Sequence, residues 1–164
     1  MKKLFFAVLL IGLIGTLAFA DETSTNMYVY AYLLPNVSVS AGNLDFGTFV
    51  PSDSIKTAST TISVGASSGT IFSVALDAGQ SFDGSWRRVA NAGSFIQYEI
   101  DKPLGGEWGD NDHLNTYTYG SSVGGTSTGV LENLTVSGRL FAYQANGVMP
   151  VGYYTDTVVV TVYY

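Results

Sequence analysis

Gly120-Ser121-Ser122-Val123-Gly124 has the G-x-S-x-G spacing that sets a nucleophilic serine on a sharp turn, and His113 is the chain's single histidine. That nucleophile needs a strand before the turn and a helix after it, with the histidine later in the chain. Here a glycine-rich stretch follows and His113 precedes Ser122, so the spacing does not point to a serine hydrolase. The run Glu107-Trp108-Gly109-Asp110-Asn111-Asp112-His113 gathers three carboxylates and the imidazole, but lacks the spaced oxygen ligands and closing glutamate of a calcium loop. It reads as a solvated acidic turn. No particular pair of carboxylates is marked out for glycoside hydrolysis, because their separation is a tertiary quantity.

Aromatic residues offer binding chemistry instead. Eleven tyrosines and two tryptophans could stack on sugar rings while acidic side chains bond the hydroxyls. The opposing reading, that Trp86, Trp108 and most tyrosines are core or strand-face residues, is favoured. Arg87 and Arg88 are expected to pair with nearby carboxylates. No cysteine is present, which removes thiol catalysis, thiolate metal sites and disulfides, and no cofactor is implied.

These groups must be carried by an apolar, weakly charged chain of 164 residues, 46% hydrophobic and 12% charged, with a net charge of −6. Residues 1–20, MKKLFFAVLLIGLIGTLAFA, have two lysines, an apolar run and a small-x-small end at Ala18-Phe19-Ala20, the layout of a secretory signal peptide. The run is short for a spanning helix, so cleavage before Asp21 is expected, with no stable membrane insertion afterwards. Cleavage removes Lys2 and Lys3, leaving 144 residues at a net charge of −8. Nucleic acid is excluded as a partner, since only Arg87 and Arg88 cluster.

The remainder reads as all-β. Met27–Leu33, Thr61–Val64, Thr70–Leu76, Phe95–Ile100, Leu134–Phe141 and Thr157–Tyr164 are short, β-branched or aromatic, and bounded by turn residues. Antiparallel strands at this spacing predict a sandwich, with Gly120–Gly129 as a flexible loop. Both ends of the mature chain carry alternation. Val158, Val160, Val162 and Tyr164 share one face of the last strand, which is expected to run to the final residue. Met27, Val29, Ala31 and Leu33 share one face of the first, with Tyr28, Tyr30 and Tyr32 on the other, behind a polar leader and ahead of Pro35. Such a strand can pair within its own sandwich or add to another molecule's sheet edge.

From Asn43 onward the chain resembles the spore coat protein U domain family, the subunits of archaic chaperone-usher pili. The resemblance is carried in order by Asn43-Leu44-Asp45-Phe46-Gly47-Thr48-Phe49, Thr61-Ile62-Ser63-Val64 and Phe72-Ser73-Val74-Ala75-Leu76-Asp77-Ala78-Gly79. It continues through Arg88, Ile96-Gln97-Tyr98-Glu99-Ile100, Trp108-Gly109-Asp110 and Leu134-Thr135-Val136-Ser137-Gly138-Arg139, then Gly152-Tyr153-Tyr154-Thr155-Asp156 and the valine-rich strand.

The resemblance implies an incomplete immunoglobulin-like antiparallel β-sandwich lacking its last strand, completed by a donor strand from another subunit. It divides the chain into a signal peptide (1–20), an N-terminal donor segment (21–35) and a pilin domain (36–164). Met27, Val29, Ala31 and Leu33 would insert into a neighbour, and Val158, Val160, Val162 and Tyr164 would line the acceptor groove. Two cysteines of the family pattern fall at Val37 and Ala66 here, so the family disulfide is replaced. The implied partners are identical or related subunits in a head-to-tail filament, a periplasmic chaperone and an outer-membrane usher. The implied location is the periplasm in transit, then a cell-surface fimbrium. The implied function is structural and non-enzymatic, in adhesion or biofilm. In that bacterial setting the Asn36-Val37-Ser38 and Asn133-Leu134-Thr135 sequons are chance matches. The competing expectation is a secreted monomeric carbohydrate-binding module, or a spore or cell coat component.

Overall fold

The computed structural model describes residues 22–50, 52–145 and 148–164. The expected signal peptide, residues 1–20, lies outside them. The chain divides into two units after Leu33. In the first, residues 22–33 have no regular secondary structure, Met27, Val29, Ala31 and Leu33 are exposed, and the Tyr28 and Tyr30 rings stack with centroids 6.4 Å apart. The expected strand over Met27–Leu33 has no ladder here, because alternation selects a face and does not supply a pairing partner.

Among the described residues of the second unit eight strands form two antiparallel sheets: β1 (Val37–Ala41), β2 (Lys56–Ala66), β3 (Ile71–Leu76), β4 (Arg87–Asn91), β5 (Ser94–Asp101), β6 (Val123–Thr126), β7 (Glu132–Leu140) and β8 (Val160–Tyr163). The larger sheet runs β1-β2-β7-β5-β4 and the smaller β6-β3-β8. Their facing sides meet in one core that includes Ile62, Val64, Phe72, Val74, Leu76, Ile96, Tyr98, Ile100, Val136 and Leu140. The period-two pattern builds it directly: in β5 Ile96, Tyr98 and Ile100 point inward while Phe95, Gln97 and Glu99 do not.

Several boundaries differ from the expectation. Gly120–Gly129 contains β6, an edge strand on β3, and Gly125 lies opposite Phe72 where a Cβ would meet the Phe72 ring. Composition had marked this stretch as flexible because glycine serves close approach as well as mobility. The short β1, with two serines in five residues, and β4, which opens on two arginines, carry too little β-propensity to stand out alone. The last strand begins at Val160 instead of Thr157, because the Asp77 side chain and backbone bind the Val159 N–H and carbonyl just upstream.

The segment leaving β1 crosses the larger sheet. Leu44 and Phe46 reach Gly138 of β7, where a Cβ would collide with both, and Phe46 tilts against Tyr98 with centroids 6.3 Å apart. At the end of the sandwich the 107–121 loop doubles back so tightly that a Cβ on buried Gly109 would strike the backbone of Gly120 and Tyr117. Gly109→Ala is therefore expected to cost about 1–3 kcal/mol, read as a fall of several degrees in the thermal midpoint. Gly124→Ala, whose added carbon meets only the Phe72 carbonyl oxygen at 3.4 Å, is expected to melt close to wild type.

Candidate functional site

Side chains directly opposite one another in an antiparallel pair share a face. Val37, Val39 and Ala41 of β1 stand opposite Ala66, Val64 and Ile62 of β2 and so face the core. The β2 residues are buried, Val64 to 1% exposure, yet Val39 is 43% exposed and Ala41 is exposed too. The other sheet repeats the asymmetry. Val160 and Val162 stand opposite Leu76 and Val74, which are fully buried, but are themselves only half-buried.

Val158 packs half-exposed on the same core, whereas Tyr164 lies beyond β8 and is exposed. Among the described residues β1 pairs only with β2 and β8 only with β3, so each keeps one unpaired edge. Phe49 meets Tyr154 edge-on at 6.0 Å, which sets the segment leaving β1 beside the segment entering β8. The site is thus a pair of edge strands whose inward faces are apolar and uncovered and whose main-chain groups are unpaired along one side. Chemically it can accept an extended apolar strand.

Polar ties hold β8 in place. Asp77 Oδ1 accepts the Val159 N–H at 2.9 Å, and Asp156 Oδ1 accepts the Gln80 and Ser81 N–H groups at 2.9 and 3.1 Å. The Tyr98 hydroxyl donates to Asp156 Oδ2 at 2.7 Å, and burial with this bond raises the Tyr98 pKa far above the ordinary phenol. Val37 lies opposite Ala66 in the β1–β2 ladder, an apolar pair.

Arg87 does not pair with a carboxylate, contrary to expectation; only Arg88 does, reaching Asp83 at 3.3 Å. Arg87 is fully buried and donates to the carbonyls of Leu76, Asp77 and Trp108, with its guanidinium 3.9 Å from the Tyr117 ring centroid. Burial lowers its pKa, opposed by the neighbouring Tyr98, Tyr117, Glu107 and Asp77. Sequence reasoning missed this anchor because adjacent arginines usually mark solvent. Burial of one of two alternating positions on a strand was the available signal.

The acidic run is dispersed among protein donors. Asp110 accepts from the Thr116 N–H and hydroxyl and the Tyr117 N–H, Glu107 from the Tyr117 hydroxyl at 2.6 Å, and Asp112 from the Ser122 N–H and hydroxyl. Structure also brings Ser73, Ser122, His113 and Asp112 together. Ser122 donates to Asp112 and Ser73 donates to Ser122 at 2.6 Å, so at 2.8 Å from the Ser73 oxygen His113 Nε2 is left as donor. The chain of bonds runs from imidazole to carboxylate, the reverse of a base activating a serine. Its role is a brace: the His113 ring stacks on Tyr163 of β8 at 3.9 Å.

The model of the Spore Coat Protein U domain family matches residues 23–161. No curated protein matches the chain. Among solved structures the chain is similar to the "CsuC-CsuE chaperone-tip adhesion subunit pre-assembly complex from archaic chaperone-usher Csu pili" of Acinetobacter baumannii. The match has 21% identity and a TM-score of 0.56, over 80% of this chain and 40% of that one. The chain therefore spans about two-fifths of the chain it matches, and at this identity the likeness is one of fold.

Burial pushes the Asp112 carboxyl up, but the two Ser122 bonds outweigh it and hold the group below its usual 3.8. A depressed carboxylate stabilises the fold above its unfolded value and loses that contribution as pH falls through the folded value. Urea unfolding should show wild type more stable than Asp112→Asn at pH 7, with the two converging below pH 3.8.

Proposed function

We propose a structural role for this chain, which belongs to the Spore Coat Protein U domain family: it is a pilus subunit that polymerises by donor-strand exchange. The observation that carries this reading is the pair of apolar, unpaired edges on β1 and β8. Both are completed at once if one extended strand lies between them.

The chain also owns a segment of the right kind. Met27, Val29, Ala31 and Leu33 alternate on one face of an exposed stretch ahead of Pro35, and would enter the groove of the next copy along Val158, Val160 and Val162, with Tyr164 at its end. Each inserted apolar side chain contributes about 1.5–3 kcal/mol when fully buried, less for Ala31. The ladder of main-chain bonds adds to this, so the joint opens slowly. Head-to-tail insertion is a heterologous contact that does not close on itself, and its product is an open filament.

Before assembly the uncovered edges need a temporary occupant, the role of a periplasmic chaperone. The similar structure was solved as a chaperone-subunit pre-assembly complex, which fits that requirement. Export by the leader at residues 1–20, passage through an outer-membrane usher and display as a surface fimbrium serving adhesion or biofilm complete the reading.

Val29→Asp would place a charge in the neighbour's groove at a cost of several kcal/mol. Unboiled outer-membrane fractions of wild type should show SDS-resistant ladders, and this variant should be exported but fail to form them. Ladders that persist in the variant, or a wild type that stays monomeric, would overturn the reading.

A further inference from the structure

One cleft lies away from the edges just described, on the outer side of the larger sheet. It is an open cleft of about 280 Å³ lined by Ser85, Trp86, Glu99, Glu107 and Tyr119, just below the usual range for small-molecule sites. The two tryptophans part company here. Trp108 is fully buried and donates its indole N–H to the Val74 carbonyl at 2.8 Å, whereas Trp86 is 36% exposed. A tryptophan at a cleft wall presents a flat apolar face to whatever enters.

The lining is held from behind. Trp86 packs edge-on against Phe141 with centroids 6.2 Å apart, Glu107 accepts from the Tyr117 hydroxyl, and the Tyr119 ring tilts against Tyr117 at 5.7 Å. Glu99 is held by Arg139 at 2.6 Å, but Arg139 is shared with Asp101 at 3.2 Å. Two surface cations, Arg139 and Lys102, thus stand near three carboxylates, and Lys102 donates to Ser121 Oγ at 2.8 Å; Arg87 is buried behind Tyr117 and committed to three carbonyls. Burial pushes the Glu99 carboxyl up, Arg139 opposes it, and Glu107 and Asp101 push the same way as burial. The cleft lining itself therefore holds two carboxylates and no cation, beside an aromatic wall.

We propose that this cleft binds a protonated amino sugar, one pyranose ring lying on Trp86 with its ammonium toward Glu107 and Glu99. A neutral sugar would use the aromatic face but leave the carboxylates' mutual repulsion in place. An ammonium relieves that repulsion and gains cation–π attraction from Trp86 and Tyr119. An anionic sugar would be repelled.

The test uses the full exported protein with a fully deacetylated glucosamine trimer as probe and the N-acetylglucosamine trimer as comparison, followed by tryptophan emission and calorimetry. Trp86 is the exposed reporter, so emission should change saturably with the glucosamine trimer. The acetylated trimer should bind at least tenfold more weakly. Glu107→Gln and Trp86→Ala should each weaken the glucosamine trimer at least tenfold, with Tyr119→Ala as a second wall variant if Trp86→Ala melts early. Absence of saturable binding, equal affinity for the two trimers, or unchanged affinity in Glu107→Gln would overturn the proposal. Because the cleft shares no residue with the donor segment or with β1 and β8, ladder formation and sugar binding can fail separately.

Discussion

Everything else in this molecule is arranged around a core with a side left open. Val39 and Ala41 on one sheet and Val160 and Val162 on the other point inward, yet remain in contact with solvent, while their ladder partners Val64, Ile62, Leu76 and Val74 are sealed. Apolar surface held out of contact in this way lacks the burial that stabilises a domain. Edge strands with unpaired main chain would ordinarily be blunted by charge or proline. Neither device is present in β1 or β8, whose sequences are VSVSA and VTVY.

A sandwich that leaves one flank open needs its other parts fixed by something other than a continuous core, and there is no disulfide to help. Polar anchors take that part. Arg87 ties the end of β3 to Trp108, Asp77 and Asp156 fasten the chain just ahead of β8, and Asp110 folds the 107–121 loop back on itself. Such bonds stabilise most where water is excluded, and leaving one partner buried alone costs more than the bond itself contributes. The arrangement keeps β8 in register with β3 while its inward face stays uncovered, so the proposed donor strand would meet a formed edge.

Much of this was readable from alternation. The valines at 158, 160 and 162 and the inward residues of β5 follow period-two patterning, which depends only on backbone geometry. What alternation could not show was which strand lies next to which. Val37 stands opposite Ala66 through a ladder between segments some thirty residues apart, and Ser122 meets Asp112 and Ser73 across three elements. Nor could composition separate Trp86 from Trp108, since both sit beside small or charged neighbours and burial is decided by which of them packs into the core. Arg87 misled for the same reason: its charge signals solvent, but the Leu76 and Asp77 carbonyls at the end of β3 and that of Trp108 supply what water otherwise would.

The open edges and the Trp86 cleft answer to different physics, and their separation has a consequence for a filament. In the proposed filament strand insertion would consume the edges of β1 and β8 in every joint, but Glu99 and Arg139 lie on the outward face of β5 and β7, away from those edges. Each added copy would repeat the cleft along the fibre. A single ring in a cleft of this size binds weakly, since few atoms make contact. A linear array facing a polymer of repeating sugars makes each later contact intramolecular, and avidity rises steeply when the spacings match. In such a filament a fold left open in the single copy would turn a weak surface cleft into a firm attachment through the assembly that closes it.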